Sequence, residues 1–225
     1  MPQSDDRAAY ATLRAAILSF DLLPGEALSE RGLEPLTGAS RTPVRAALMR
    51  LENEGLVRRD GRAWRVSPID VAEVRAVLEF RATVEAGAVA LVVERADGEG
   101  IAALRAFVSH PDEDGPEAGL RDGGDFHVAL ARLSGNPFFA SAMDDAMTRL
   151  SRTRWLEVRT EQSRAQARAE HLAIVDAVAA RDAPRAVALV SAHSAGTRDR
   201  LVGFLEEERR RLRGRGMAVV DDASA

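Results

Sequence analysis

Apolar positions at Tyr10, Leu13, Ile17 and Leu18 recur at helical spacing and predict a helix over residues 7–19. Pro24-Gly25 breaks the pattern. Ser29 is placed to cap a short helix ending near Leu36, and Thr37-Gly38-Ala39 predicts a tight turn. Ser40 is placed to cap the next helix, over 40–54, with Pro43 tolerated in its first turn. Val44, Ala47, Leu48 and Leu51 form the buried stripe of that helix, and Gly55 ends it. Two short strands follow, Leu56–Arg59 and Ala63–Val66, and Asp60-Gly61 between them is a hairpin turn signal. Helix, tight turn, helix, then hairpin is the order of a winged helix-turn-helix.

From Asp70 onward the pattern holds no strand. Segments 70–95, 99–108, 122–134, 137–160, 164–180 and 184–213 read as helices rich in alanine, leucine and arginine. Breaks fall at Asp97-Gly98, His110–Gly119, Ser134–Pro137 and Arg181–Pro184. The fold expected is mainly α: a winged helix-turn-helix of three helices plus a β-hairpin over 1–68, then an all-α antiparallel bundle over 69–213. Residues 214–225 are expected to form a disordered tail.

Charge changes this picture locally. Net charge is −4, yet residues 41–65 hold seven arginines against Glu52, Glu54 and Asp60, a net of +4 that leaves −8 for the other 200. A basic patch on an acidic protein fits a DNA reader with a separate regulatory part. All 31 basic residues are arginine, which reads as codon bias from a GC-rich genome rather than as evidence for nucleic acid. There are no cysteines, which excludes disulfides and thiolate metal sites and fits a cytoplasmic setting. No stretch reaches the roughly 18 consecutive apolar residues of a membrane span, so no membrane partner is expected. The opening MPQSDDRAAY is acidic and polar, unlike a signal peptide.

Arg41 and Arg45, four apart, share the helix face opposite Val44, Leu48 and Leu51. Arg41 and Thr42 stand at the leading end of this helix, where a recognition helix meets base edges. Ser40, Thr42 and the amides of the first turn suit phosphate. Arg59 and Arg62 flank the hairpin tip, in reach of backbone or minor groove. The competing reading is a solvated arginine face.

The run AILSFDLLPGEALSERGLEPLTGASRTPVRAALMRLENEGLV closely resembles the N-terminal domain of GntR-family regulators over about forty residues. The resemblance implies that Arg31, Ser40, Arg41, Thr42 and Arg45 face DNA and that the wing adds contacts. This chain departs from the family pattern at Gly32 and Pro35 within the first helix of the motif, where an interior proline costs ~3 kcal/mol and predicts a short or kinked helix. It departs again at Thr37, Ala46 and, in the wing, Ala63.

Of four histidines, His171 and His193 are equidistant from residue 182, in the turn between two predicted helices. Residues so placed in an antiparallel helical hairpin lie at one level, so the two imidazoles could converge on a metal; the alternative is that each histidine is an independent core or surface residue. The segments EFRATVEAGAVALV, DFHVALARLSGNPF and EHLAIVDAVAARDAPRAVALVSAH resemble the FCD effector domain of FadR-type GntR regulators. In that family three histidines and an aspartate bind a divalent metal, and the histidines match His127, His171 and His193. The aspartate position, four before the first histidine, is Gly123 here. Asp122 is one residue early and Asp125 projects to the wrong side, so Asp122 serves only if its helix starts late or distorts. Zinc, nickel or manganese is the candidate ion. Arg81 matches the family's helix arginine, which implies a place near the effector pocket and a clamp on a carboxylate; its other reading is an ordinary pair with Glu85.

The resemblance thus implies a homodimeric, ligand-responsive regulator, most often a repressor, that binds a short palindromic operator in double-stranded DNA and answers to a small carboxylate effector. Two other readings compete. One is a DNA-binding regulator whose pocket no longer senses. The other is a metal hydrolase using the three histidines, which the absence of HExxH, a P-loop, GxGxxG and any nucleophile-base signature disfavours.

Overall fold

The computed structural model describes residues 2–109, 115–158, 160–214 and 216–220. The chain divides into two compact units, one of Met1–Glu73 with Leu205–Ala225, the other of Val74–Phe204.

The first unit opens with helix α1 (Pro2–Leu18), which starts earlier than its apolar spacing indicates. After Pro24-Gly25 comes a two-residue strand, β1 (Ala27–Leu28), too short for any periodicity to reveal. Helix α2 (Glu30–Thr37) is short, as its proline and glycine predict, and contains Pro35. The Ser29 hydroxyl accepts from the Gly32 amide at 3.0 Å, the cap expected of it. Gly38 closes α2 in the left-handed region, φ 65°. Helix α3 (Arg41–Asn53) follows, its backbone entered from an extended Ser40 whose side chain makes no capping bond, contrary to the cap expected there. Val44, Ala47, Leu48 and Leu51 of α3 are buried, as are Leu13 and Ile17 of α1, and the two helices pack together. Tyr10 of α1 donates to Glu54 at 2.7 Å while the Arg50 guanidinium lies over its ring, which holds α3 against α1.

Strands β2 (Val57–Asp60) and β3 (Ala63–Val66) form the hairpin, one residue later at its start than predicted. Asp60 pairs with Ala63, so the turn is Gly61-Arg62, with Gly61 at φ 61°. A positive φ at the first turn residue is what a tight hairpin demands and glycine supplies. The sheet order is β1-β3-β2, all antiparallel.

Part of the expected tail is ordered. Strand β4 (Ile69–Asp70) pairs in parallel with β5 (Val219–Val220). Backbone bonds run from Ile69 to Ala218 at 2.9 Å and from Ala218 to Pro24 at 2.7 Å, and Arg213 donates to the Val219 carbonyl. Gly25, at φ 88°, lets Ala218 approach where any side chain would collide. The expected strand-free region after Asp70 and the disordered tail are both corrected here; residues 215 and 221–225 of that tail lie outside the described residues. The boundary expected after residue 68 likewise runs differently, since the first unit takes in residues up to Glu73 and from Leu205.

The second unit is helical, formed by α4 (Val71–Arg95), α5 (Gly98–Ser109), α6 (Pro116–Arg132), α7 (Pro137–Glu157), α8 (Glu161–Ala179) and α9 (Ala183–Gly214), of which α4 and α9 also supply residues to the first unit. Asp97 accepts from Gly100 at 2.7 Å, Asn136 from Phe138 at 3.1 Å, Thr160 from Ser163 at 3.1 Å and Asp182 from Arg185 at 3.1 Å, so the starts of α5, α7, α8 and α9 are capped by side chains. Part of the predicted break at His110–Gly119 lies outside the described residues. Helix α6 starts at Pro116, six residues before its predicted start and through Gly119, Gly123 and Gly124. Val89, Val92, Phe126, Ile174, Val178 and Val190 center the main core. No helix among the described residues is long and apolar enough to cross a membrane.

Candidate functional site

The leading face of α3 presents charge outward because its apolar stripe faces α1. Arg31, Ser40, Arg41, Thr42, Arg45, Arg59 and Arg62 are all exposed. Arg45 donates from Nε and Nη2 to the Glu30 carboxylate at 2.7 and 2.8 Å, and Arg41 lies 3.4 Å from Glu34. The bond from Arg45 is the main cause that holds the Glu30 carboxyl below its usual range. Sequence reasoning missed these two acids. Their signal was present: Glu30 and Glu34 repeat at the same interval of four as Arg41 and Arg45. The exposed pairs are weak and solvated, so a phosphate can displace them. In the hairpin, Arg59 stacks over Trp64 at 3.5 Å, which orders its long side chain near the strand end, and Arg62 occupies the tip.

The second unit contains a cleft with an internal volume of about 70 Å³. His127 on α6, His171 on α8 and His193 on α9 converge in it, all buried, with one nitrogen from each lying within 4.8 Å of the others. The symmetry about residue 182 thus brought His171 and His193 to one level, with ring centers 4.8 Å apart. His171 also stacks on Phe126 at 3.9 Å.

Each imidazole has a distinct set of partners. His127 meets the Glu85 carboxylate through Nδ1, and Arg81 Nη2 stands 2.7 Å from its Nε2. That set fits a neutral ring that donates from Nδ1 and accepts at Nε2. Ser194 donates to the other Glu85 oxygen at 3.1 Å, and Arg81 Nε lies 3.4 Å from it. His193 Nδ1 is 2.6 Å from Glu170, whose carboxyl is held below its usual range chiefly by that bond. His171 Nε2 and Arg81 Nη1 are buried with no hydrogen-bond partner. Arg81 is only 1% exposed, so it is both the pair with Glu85 and a wall of the cleft.

Burial, followed by the nearby Arg81 charge, pushes the His127 imidazole well below its ordinary value, and burial does the same to His171. Both rings are therefore neutral when folded and take up protons on unfolding in acid. Their contribution to stability is complete above about pH 6.5 and is lost as pH falls below it, at no more than ~1.4 kcal/mol per pH unit for each ring. Urea unfolding of the helical unit should accordingly show a lower midpoint at pH 5.5 than at pH 7.5, and His171→Phe should flatten the dependence. A midpoint that rises on acidification would contradict the neutral assignment.

The acidic position near the trio differs from the family's pattern in a specific way. A Cβ on Gly123 would come within 2.4 Å of Arg154 Nη2, and one on Gly124 within 3.3 Å of Nη1. Arg154, on α7, is 6% exposed and donates from Nη1 to the Leu120 carbonyl. Asp122 lines the cleft but pairs with Arg121 at 3.3 Å and is not part of the histidine cluster; Asp125 is exposed. Imidazoles backed by carboxylates, as His127 is by Glu85 and His193 by Glu170, are the right ligand type for a divalent ion. The charge is wrong: where the family's pattern has an anionic ligand a guanidinium lies, and a second guanidinium occupies the His127 Nε2 lone pair. These residues do not fit a resident divalent cation.

Two family models match the chain: bacterial regulatory proteins of the gntR family over residues 6–66, and the FCD domain over residues 76–196. A relative from Streptomyces ambofaciens, described as an uncharacterized HTH-type transcriptional regulator in an unstable DNA locus, is 34% identical over 85% of this chain and 82% of its own. The Nta operon transcriptional regulator of Aminobacter aminovorans is 33% identical over 78% of this chain and 84% of its own. Among solved structures, a putative GntR transcriptional regulator from Rhodococcus sp. RHA1 shares the fold with a TM-score of 0.69 at 20% identity, covering 89% of this chain and 98% of that one. E. coli McbR/YncC shares it with a TM-score of 0.66 at 18% identity, covering 91% and 98%.

Proposed function

The chain belongs to the GntR family of bacterial regulatory proteins, in the branch that carries an FCD domain, and on that premise we propose that it is a homodimeric repressor released from DNA by a small organic acid. It is a DNA-binding transcriptional regulator; the families and relatives it matches are regulators, not enzymes. The acid-sensing part of the reading is supported by one observation above all. Two guanidiniums, Arg81 and Arg154, are buried against neutral imidazoles in a cleft of the helical unit. A buried cation such as Arg81, whose Nη1 has no hydrogen-bond partner, is a receptor for a carboxylate.

Arg41 and Thr42 would read base edges in the major groove. Arg31, Ser40 and Arg45 would hold the adjoining backbone, with Arg59 and Arg62 adding wing contacts. Members of this family typically dimerise, so two such units would match a short palindrome. Binding of the acid would weaken DNA affinity by a coupling of ~1–3 kcal/mol, about 5- to 150-fold. Such a regulator would work in the cytoplasm, where its operator is.

A promoter carrying an operator selected in vitro, fused to a reporter, tests this reading. Expression should be low when the protein is present and rise when the matching acid is supplied. Expression that stays the same with every organic acid would overturn the sensing role, and expression that falls when the protein is deleted would overturn the repressor assignment.

A further inference from the structure

The residues that follow α9 belong to the DNA-binding unit, not to the helical one. Gly216, at φ 86°, turns the chain back, and its amide donates to the Arg213 carbonyl at 3.0 Å. Val219 is fully buried, and β5 pairs with β4, whose Ile69 is 2% exposed. The Ala218 carbonyl accepts from Ile69, and the Ala218 amide donates to the Pro24 carbonyl. The Ala218 methyl also stands 2.5 Å from where a side chain on Gly25 would begin. Ordering a chain end costs entropy at every residue, so an end held by burial and by bonds on two sides is a fixed part of its unit.

What the tail holds leads, contact by contact, to the DNA-facing arginines. Pro24 is buried between α1 and β1. On the far side of the same loop, Gly25 donates to the Val66 carbonyl and Val66 to the Glu26 carbonyl, both at 2.9 Å. Arg65 Nη1 donates to the Gly25 carbonyl at 2.6 Å. Strand β1 follows at once, and its Leu28 stands opposite Trp64, the ring that carries Arg59. Ser29 then caps α2, and Glu30 holds Arg45. Strand β1 is only two residues long, too short to fix this loop by itself. The loop is clasped between the hairpin and the tail.

We propose that the C-terminal segment Met217–Val220 is a positioning element for DNA binding. It acts without touching DNA, by holding Pro24-Gly25 and, through them, β1 and the hairpin in the binding arrangement. A unit that keeps its competent arrangement only part of the time binds with an affinity reduced by that fraction. The inference goes beyond repression and acid sensing, and it holds for either sign of regulation. Charge separates it from a direct contact. Residues 216–225 contain no arginine or lysine and two aspartates, Asp221 and Asp222. By electrostatics alone, removing them would strengthen DNA binding. Loss of the brace weakens it.

Fluorescence anisotropy with a labelled operator, read over a salt series, tests this on the full-length chain and two variants. Deleting residues 216–225 should weaken operator binding at least tenfold, with the salt slope unchanged because no phosphate contact is lost. Val219→Thr in the full-length chain keeps the shape but buries a hydroxyl, and should weaken binding about threefold. Amide hydrogen exchange should quicken at least tenfold at Gly25 and Val66 in the deletion, while Leu48 and Leu51 of α3 keep their protection. Operator affinity in the deletion within threefold of the full-length chain, or tighter than it, would overturn the proposal. So would a shallower salt slope, which would mark a direct contact, or unchanged exchange at Gly25 and Val66. Should the deletion fail to fold, Val219→Thr carries the test, and equal affinity in that variant overturns the proposal.

Discussion

Reversing Arg41 and Arg45 to glutamate together is expected to lower operator affinity by at least 10³-fold while leaving the fold intact. The two side chains lie on the outward face of α3, opposite Val44, Leu48 and Leu51, and both are exposed. Each arginine contact to a base or phosphate contributes ~1–3 kcal/mol, and a dimer presents the pair twice. Even at the low end, four lost contacts amount to ~4 kcal/mol, or nearly 10³-fold, before repulsion from phosphate is added. The ion pairs to Glu30 and Glu34 are lost as well, but exposed pairs contribute at most ~1 kcal/mol each, so the melting transition should move little. Fluorescence anisotropy with a labelled operator at low ionic strength reads the loss, and circular dichroism reports the fold. Affinity within threefold of wild type would remove α3 from the DNA interface. Arg45→Gln alone should show a smaller loss and a shallower dependence on salt, because one fewer phosphate-attracting charge is present per protomer.

The second large effect concerns stability. Arg81 and Glu85 are each 1% exposed, and with His127 and Ser194 they form a buried polar group inside the helical unit. Arg81→Met leaves the Glu85 carboxylate buried without its cation, a loss that costs ~3–5 kcal/mol in comparable buried pairs. His127 can take up a proton in compensation, which favours the lower end of that range and makes the loss smaller at pH 6 than at pH 8. The double variant Arg81→Met with Glu85→Gln should recover much of the stability, since neither charge is then stranded. Urea unfolding followed through the helical unit measures both. A single-variant loss below ~1 kcal/mol, with no recovery in the double variant, would show that the group contributes little.

Much of the DNA-binding unit was legible because its signals are local. The stripe Val44, Ala47, Leu48, Leu51 can be buried only if α3 is a helix, and Gly61, at a positive φ in the Gly61-Arg62 turn, marks where the two strands join. The pairing of His171 with His193 was legible for a similar reason: the turn near residue 182 sets the level of both. What was not legible depends on contacts distant in sequence. The tail strand Val219–Val220 pairs with a segment about 150 residues away. Arg154 lies in no motif, and its role arises only because α7 places it against a glycine of α6. Read alone, Gly123 is a missing ligand; beside Arg154 it is the space that lets a guanidinium in. The early start of α6 was hidden by the same glycines, which weaken helical propensity where packing overrides it.

The account turns on one linkage, that filling the cleft in the helical unit changes how tightly the winged unit holds DNA. The direct measurement is operator affinity, at fixed ionic strength, with the cleft empty and with it saturated by its anion. The account predicts a loss of affinity of about 5- to 150-fold on saturation. Identical affinities in the two states of the wild-type protein would contradict it.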